Sequence, residues 1–266
     1  MLLWQALTLT LISFVVGALG GFVGLALGTM RLPAMLLMGI QSPVAAGTNI
    51  LISSLASLTG ALRHYREGRV DRRIVMVMGV PSFAGALVGG FASDVAPEGA
   101  LVFLVGLLVL WQGVEFLLLF SNRRHSDRIH TFGTDLEGSS GIFSPNRTAI
   151  GSCVGLSVGL LGGTVGLILG SIRLPAIIRI LRVDPRIAVG TNMFIGFFMG
   201  SLGWIGHAAR GQVDYSLLLI MGTAAMAGSY IGSQFTGRVP LNTLILVIGV
   251  ILLAVGAFLV GRGATL

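Results

Sequence analysis

The segment Gly20–Ala34, GGFVGLALGTMRLPA, returns at Gly162–Ala176 as GGTVGLILGSIRLPA, with eleven of fifteen positions identical. The register then holds. Gly47-Thr-Asn49 answers Gly190-Thr-Asn192 after a one-residue insertion, and His64 falls on His207, Gly68 on Gly211, Asp71 on Asp214 and Pro97 on Pro240. A chain with this pattern is two copies of one unit, a common plan among transporters. Because the opening segment belongs to the repeat and lacks a basic start, it reads as retained rather than as a cleaved leader.

Hydrophobic length divides each copy. The apolar runs cover roughly residues 3–28, 33–41, 43–62, 74–96 and 99–120, then 148–170, 174–181, 185–206, 215–236 and 240–261. The runs 33–41 and 174–181 are too short to cross a ~30 Å hydrocarbon core at ~1.5 Å per residue. They read as short broken or re-entrant helices. The expected fold is an all-α polytopic membrane protein of about eight transmembrane helices in two four-helix repeats, residues 1–120 and 148–266, joined by the polar connection 121–147. Four spans per copy would make the repeats parallel. Only 10% of residues are charged and mean hydropathy is +0.93, against ~25% charged in soluble domains.

All 17 basic side chains are arginine. They lie between apolar runs without interleaved aromatics, so the +7 charge points to a lipid bilayer and not to nucleic acid. With eight spans, eleven arginines would face one side, including those at 63–73, 121–147 and 210, against six on the other. That count places both termini in the cytoplasm, although the arginines around Asp184 weigh against it. Ser42-Pro43 and Asp184-Pro185 read as helix caps followed by a first-turn proline. Gly68 and Gly211 read as helix stops, and Asp71 and Asp214 as caps of the next helix.

Arg31 and Arg173 are the sharpest functional candidates. An intramembrane arginine costs at least ~2.5–3.5 kcal/mol to insert, so it is paired, hydrated or functional, and guanidinium suits an oxyanion. Pro33 and Pro175 read as first-turn residues of the short helices, whose positive ends favour an anion. Two arginines and two helix ends would form one electropositive pocket holding a small anionic substrate. Thr48, Asn49, Thr191 and Asn192 could bind that substrate or a neighbouring helix. Gly17, Gly21, Gly24 and Gly28, with Gly159, Gly163, Gly166 and Gly170, form a close-packing stripe whose ends, Gly28 and Gly170, could line the substrate path. His64 and His207 share a register and are candidates for a proton relay.

Carboxylates, clustered histidines and paired cysteines are scarce in the spans, with Glu115 the one acid well inside an apolar run. That pattern implies no metal site and no cofactor, and it disfavours a cation or metal permease. Gly200-Ser-Leu-Gly203 near His207 lacks a base-orienting carboxylate, so enzyme function is not expected. A homo-oligomer is compatible with the sequence.

The doubled series — the glycine-rich run into Arg31-Leu-Pro33, then Pro43, Gly47-Thr-Asn49 and Gly68-Arg-Val-Asp71, with second copies through Arg173-Leu-Pro175, Pro185, Gly190-Thr-Asn192 and Gly211-Gln-Val-Asp214 — resembles the sulfite exporter TauE/SafE family. The resemblance spans nearly the whole chain. It implies a transporter in the bacterial inner membrane, with export, or sometimes uptake, of sulfur-containing anions such as sulfite, sulfonates or sulfoacetate.

Overall fold

The computed structural model describes residues 3–23, 27–93, 95, 97–126, 144–234 and 241–265, and these are helical with short turns. The elements are α1 (Leu3–Val23), α2 (Gly28–Leu37), α3 (Ser42–Arg66), α4 (Arg72–Ile74), a π-helical turn (Val75–Gly79), α5 (Val80–Phe91), α6 (Glu98–Ser126), α7 (Pro145–Val165), α8 (Gly170–Arg179), α9 (Pro185–Ala209), α10 (Tyr215–Gln234) and α11 (Leu241–Thr265). Eight of the helical stretches are long and apolar enough to cross a membrane. Many large apolar side chains face outward, among them Leu7, Leu11, Trp111 and Leu219. Ser13, Ser53, Ser54, Ser57 and Ser82 are buried instead. This is the distribution a lipid solvent selects, because polar groups must be satisfied within the protein.

The turns follow their chemistry. Pro43 opens α3 and Pro185 opens α9, where a missing N–H leaves no gap. Gln41 rather than Ser42 stands at the cap of α3, so Ser42 is already helical. The Asp184 carboxylate accepts the Arg186 amide at 2.8 Å, the Asp71 carboxylate accepts the Arg73 amide at 2.7 Å, and that of Asp214 accepts Leu217 at 3.0 Å. Gly68 and Gly211 stop α3 and α9 at φ +68° and +69°, a conformation that favours glycine. The π turn has a local cause. Pro81 cannot donate to the Val77 carbonyl, and the Ser152 hydroxyl of α7 bonds that oxygen at 2.8 Å.

The helices form two compact units. Residues 1–96 and 143–236 make the first, and residues 97–142 and 237–266 the second. In the second, α6 and α11 pack antiparallel, with Gly106 against Val260, Gly113 against Leu253 and Gly263 against Phe103. Glu115 belongs to α6. In the first unit, elements from both halves of the chain interleave. Of the connection 121–147, residues 127–143 lie outside the described residues.

Directions within the first unit overturn the parallel arrangement expected from counting spans. Helices α3 and α9 run antiparallel: Gly60 meets Met193, Ser54 bonds the Phe197 carbonyl at 2.7 Å, and Ile50 meets Gly203. Helix α1 runs parallel to α10, matching Ser13 to Met221, Gly17 to Ala225 and Gly21 to Ser229. Helix α7 runs parallel to α5, matching Gly155 to Met78, Gly159 to Ser82 and Gly163 to Ala86. Helix α5 also runs with α9, from Gly79 beside Ile195 to Gly90 beside Gly206. The elements matched by the sequence repeat therefore point in opposite directions. The parity went astray at the short element: α2 leads back to the membrane face from which α1 started, so α3 sets out from that same face.

The reversal also redistributes the arginines. Arg63, Arg66, Arg69, Arg72 and Arg73 surround the turn from α3 to α4. Gly190 and Thr191 of α9 pack on that turn, which brings Arg179, Arg182 and Arg186 to the same face. Arg147 joins them, since Gly151, one turn further along α7, packs on Leu181 and Val77. Among the described residues of this unit, Arg210 is the one arginine at the opposite end. The cluster near Asp184, discordant in the sequence count, belongs to the majority.

The glycine stripe does not run along a single helix. Gly17 and Gly21 lie in α1, and a Cβ on either would come within 2.4 Å of an α10 carbonyl oxygen. Gly159 and Gly163 of α7 meet carbonyls of α5 in the same way. Gly166 then ends α7 at φ +73°, with its α-carbon pressed on Ala46 of α3, and Gly170 starts α8. Gly24 lies outside the described residues.

Candidate functional site

The short helices begin earlier than their apolar lengths suggest. They start at Gly28 and Gly170, so Pro33 and Pro175 sit in the helix interior, and Arg31 and Arg173 fall at the end of the first turn. Leu27 and Leu169 occupy the cap positions and offer no side-chain acceptor. A guanidinium beside a positive helix end, shielded from water, is an unfavourable placement unless negative charge or strong acceptors compensate it. Arg31 is 1% exposed and Arg173 0%.

The two arginines solve this problem differently. Arg173 is satisfied internally. Its Nε donates to Asn192 Oδ1 at 2.8 Å, Nη2 to the Asn192 carbonyl at 3.0 Å, and Nη1 to Met199 Sδ at 3.2 Å. Asn192 in turn donates from Nδ2 to the Gly170 carbonyl at 3.2 Å. In the first copy the corresponding bond is missing. Arg31 Nε and Nη1 are buried without a hydrogen-bond partner among the described residues, and so is Asn49 Oδ1. Asn49 Nδ2 instead donates across to the Gly166 carbonyl at 2.9 Å. Thr29 Oγ1 and Ser53 Oγ are buried and unpartnered as well.

Of these groups, Arg31 and Ser53 line a small cavity of ≈ 10 Å³. Its wall includes Gly28, Arg31, Ser53, Ser57, Met193 and Ser229. Asn49 adjoins it behind Gly28, with Nδ2 3.2 Å from where a glycine Cβ would stand. Gly28 is required there, since that Cβ would also collide with Ser53 Oγ. Arg173 is not among the residues of this wall. Its Nη2 and the wall residue Ser57 nevertheless approach the same point of α9, where a Cβ on Gly196 would meet Arg173 Nη2 at 3.4 Å and Ser57 Oγ at 3.9 Å.

Thr48 and Thr191 do not line the cavity. The Asp214 amide donates to Thr48 Oγ1 and the Asp71 amide to Thr191 Oγ1, both at 3.0 Å. Each preceding glycine admits the same turn: a Cβ on Gly47 would strike the Gln212 carbonyl, and one on Gly190 the Arg69 carbonyl. The Gly-Thr-Asn motif thus divides its work. Glycine and threonine dock a turn from the other half of the chain, and asparagine reaches toward the arginine site.

His64 and His207 end up at opposite ends of the α3–α9 pair, so the structure does not bring them into one relay. His207 is buried, with Nδ1 2.9 Å from Gln212 Oε1 and Nε2 2.7 Å from the Gly163 carbonyl. His64 Nδ1 lies 4.0 Å from Glu67, which Arg63 and Arg69 also contact at 3.0 Å and 2.8 Å. No cluster of metal-ligating side chains occurs among the described residues.

Comparison with known proteins agrees with the membrane architecture. The family model described as "Sulfite exporter TauE/SafE" matches residues 9–259. The chain belongs to this family. It is a multi-pass membrane transporter and not an enzyme. Among its TauE/SafE relatives, a probable membrane transporter protein of Bacillus subtilis, YunE, is 23% identical over 96% of this chain and 97% of its own length. A second from the same organism, YdhB, is 27% identical over 86% and 90%. A probable membrane transporter protein of Xylella fastidiosa is 24% identical over 91% and 93%. No solved structure matches the chain.

Ser53 escaped the sequence reading. It carried a usable signal, standing one helical turn after Asn49 on the face that Asn49 marks.

Proposed function

We propose that this transporter moves a small sulfur-containing anion, such as sulfite or an organosulfonate, out of the cell across the bacterial inner membrane. Arg31 is the anion's principal ligand. The observation carrying this reading is the buried guanidinium at the start of α2, with two donor nitrogens unused, Ser53 Oγ unpaired on the same cavity wall and Asn49 Oδ1 unpaired on the residue behind Gly28. A buried charge in this state is stabilised by a bound counterion, and hydrogen bonds to a charged group contribute about 1.5–3 kcal/mol each. Arg173 acts as a strut that fixes Asn192 and the start of α8. Membership of a sulfite exporter family supports sulfite as the first candidate.

The cavity has room for about one water molecule, so it represents a closed form. Loading and release then require α2 or α8 to move against the α3–α9 pair, and alternation between two such forms would open the site to each side in turn. The skewed arginines favour the face at the α3–α4 turn as cytoplasmic. The N-terminus, on the face where α3 begins, is then outside. This replaces the cytoplasmic N-terminus read from the span count.

The test is sulfite and sulfonate flux into proteoliposomes. Wild-type protein carries the anion and Arg31→Gln does not, at equal incorporation. Undiminished flux through Arg31→Gln would remove the site from the pathway.

A further inference from the structure

We infer that the Arg31 site selects an oxyanion that still carries one acidic hydrogen, a singly protonated monoanion, over its fully ionised form. The inference rests on the anion reading above and narrows it. The ligand need not be a string of acceptors, because the empty valences around Arg31 are of both kinds. Guanidinium nitrogens only donate, and the Ser53 hydroxyl on the same wall does either. Asn49 is different. Its Nδ2 is committed to the Gly166 carbonyl at 2.9 Å, which fixes the amide's orientation and leaves Oδ1, a pure acceptor, buried and unused. In the second copy the corresponding oxygen is filled by Arg173 Nε. Around Arg31 that bond is open at both ends. A ligand that accepts from Arg31 and donates a hydrogen to Asn49 Oδ1 completes both halves. A fully ionised anion leaves the amide oxygen facing lone pairs, a mismatch of roughly 10- to 100-fold in affinity.

Charge gives the same answer independently. Among the described residues, Arg31 is the one charged side chain on the cavity wall; α1 contributes Val16, Gly17 and Gly20, and α3, α9 and α10 contribute serine, alanine and methionine. One guanidinium neutralises one negative charge, and a dianion would leave an unbalanced charge in a site sealed from water. With no titratable carboxylate or histidine among the described residues of that wall, the pH dependence of binding comes from the ligand. Hydrogen sulfite meets both conditions, whereas sulfate lacks the hydrogen and carries two charges. Methanesulfonate meets the charge condition alone.

The test is binding to the purified full-length transporter, by calorimetry, of sulfite across its second ionisation, with sulfate and methanesulfonate as hydrogen-free probes. The expected result is a constant apparent sulfite affinity below that ionisation and a tenfold loss per pH unit above it. Both probes should bind at least tenfold more weakly, and Asn49→Ala should narrow the gap between hydrogen sulfite and methanesulfonate. Sulfite affinity that rises as the dianion forms, or methanesulfonate binding as tightly as hydrogen sulfite, overturns the inference while leaving the anion site standing. If no anion binds, or if Arg31→Gln binds sulfite as the wild type does, the underlying site reading falls with it. If Asn49→Ala does not fold, the wild-type pH series still decides.

Discussion

Replacing each buried arginine by methionine separates a ligand group from a structural one, because the two substitutions share most of their energetics. Arg31 and Arg173 are equally shielded from solvent and occupy the same position in their helices. Methionine has a comparable reach and no charge, so relief of the buried charge at the helix start is nearly common to both and cancels in the comparison. What remains is the set of bonds that Arg173 alone makes, chiefly the two to the side chain and the carbonyl of Asn192, with a weaker one to Met199 Sδ. Hydrogen bonds to a charged group contribute about 1.5–3 kcal/mol each, so Arg173→Met should be less stable than Arg31→Met by at least ~3 kcal/mol. For a chain of this size, each kcal/mol moves the midpoint by about 2–4 °C, which puts the expected gap at roughly 6–12 °C. Thermal unfolding of the two variants in detergent without added anion measures it, with Arg31→Met expected at or above the wild-type midpoint. Midpoints within about 2 °C of each other, or the reverse order, would refute the asymmetry.

Three further outcomes are expected. Gly159→Ala forces a methyl into the Ser82 carbonyl and should destabilise by about 1–3 kcal/mol, read as a lowered melting midpoint. Thr48→Val and Thr191→Val each strand a turn amide, costing about 1–3 kcal/mol. Because they act at opposite ends of the α3–α9 pair, the double variant should lose the sum, measured by the same unfolding assay. In a background with Cys153 replaced by serine, cysteines introduced at Arg72 and Arg210 should react with a membrane-impermeant thiol reagent from opposite sides of intact cells, with position 210 reached from outside. Labelling of both from one side contradicts the antiparallel packing.

Much of the architecture was legible in the chain because hydrophobic length reports directly on membrane spans. The short elements at α2 and α8 were also legible as too brief to cross. Their direction was not. A ten-residue helix carries no mark of whether the chain continues or turns back, and that ambiguity reversed the relation between the copies and with it the arginine count. The site was half legible. Arg31 and Arg173 stood out as charges among apolar residues, but an identical motif cannot say which copy is satisfied. That distinction lies in side-chain torsion and in neighbours such as Met199 and Gly166, which come from helices distant in sequence. The threonines misled for a related reason: a buried hydroxyl near an asparagine reads the same whether it meets a ligand or the amide of a turn from the other half.

The exchange of turns between Gly47-Thr48 and Gly190-Thr191 sets a rule for any shortened version of this molecule. A polypeptide bearing a single copy would present a docking glycine and threonine with nothing to receive, and a turn with nowhere to rest. It could complete itself only beside a sister molecule threaded into the bilayer upside down. Splitting the gene should therefore yield two fragments that are insoluble apart and recover a defined fold when made together.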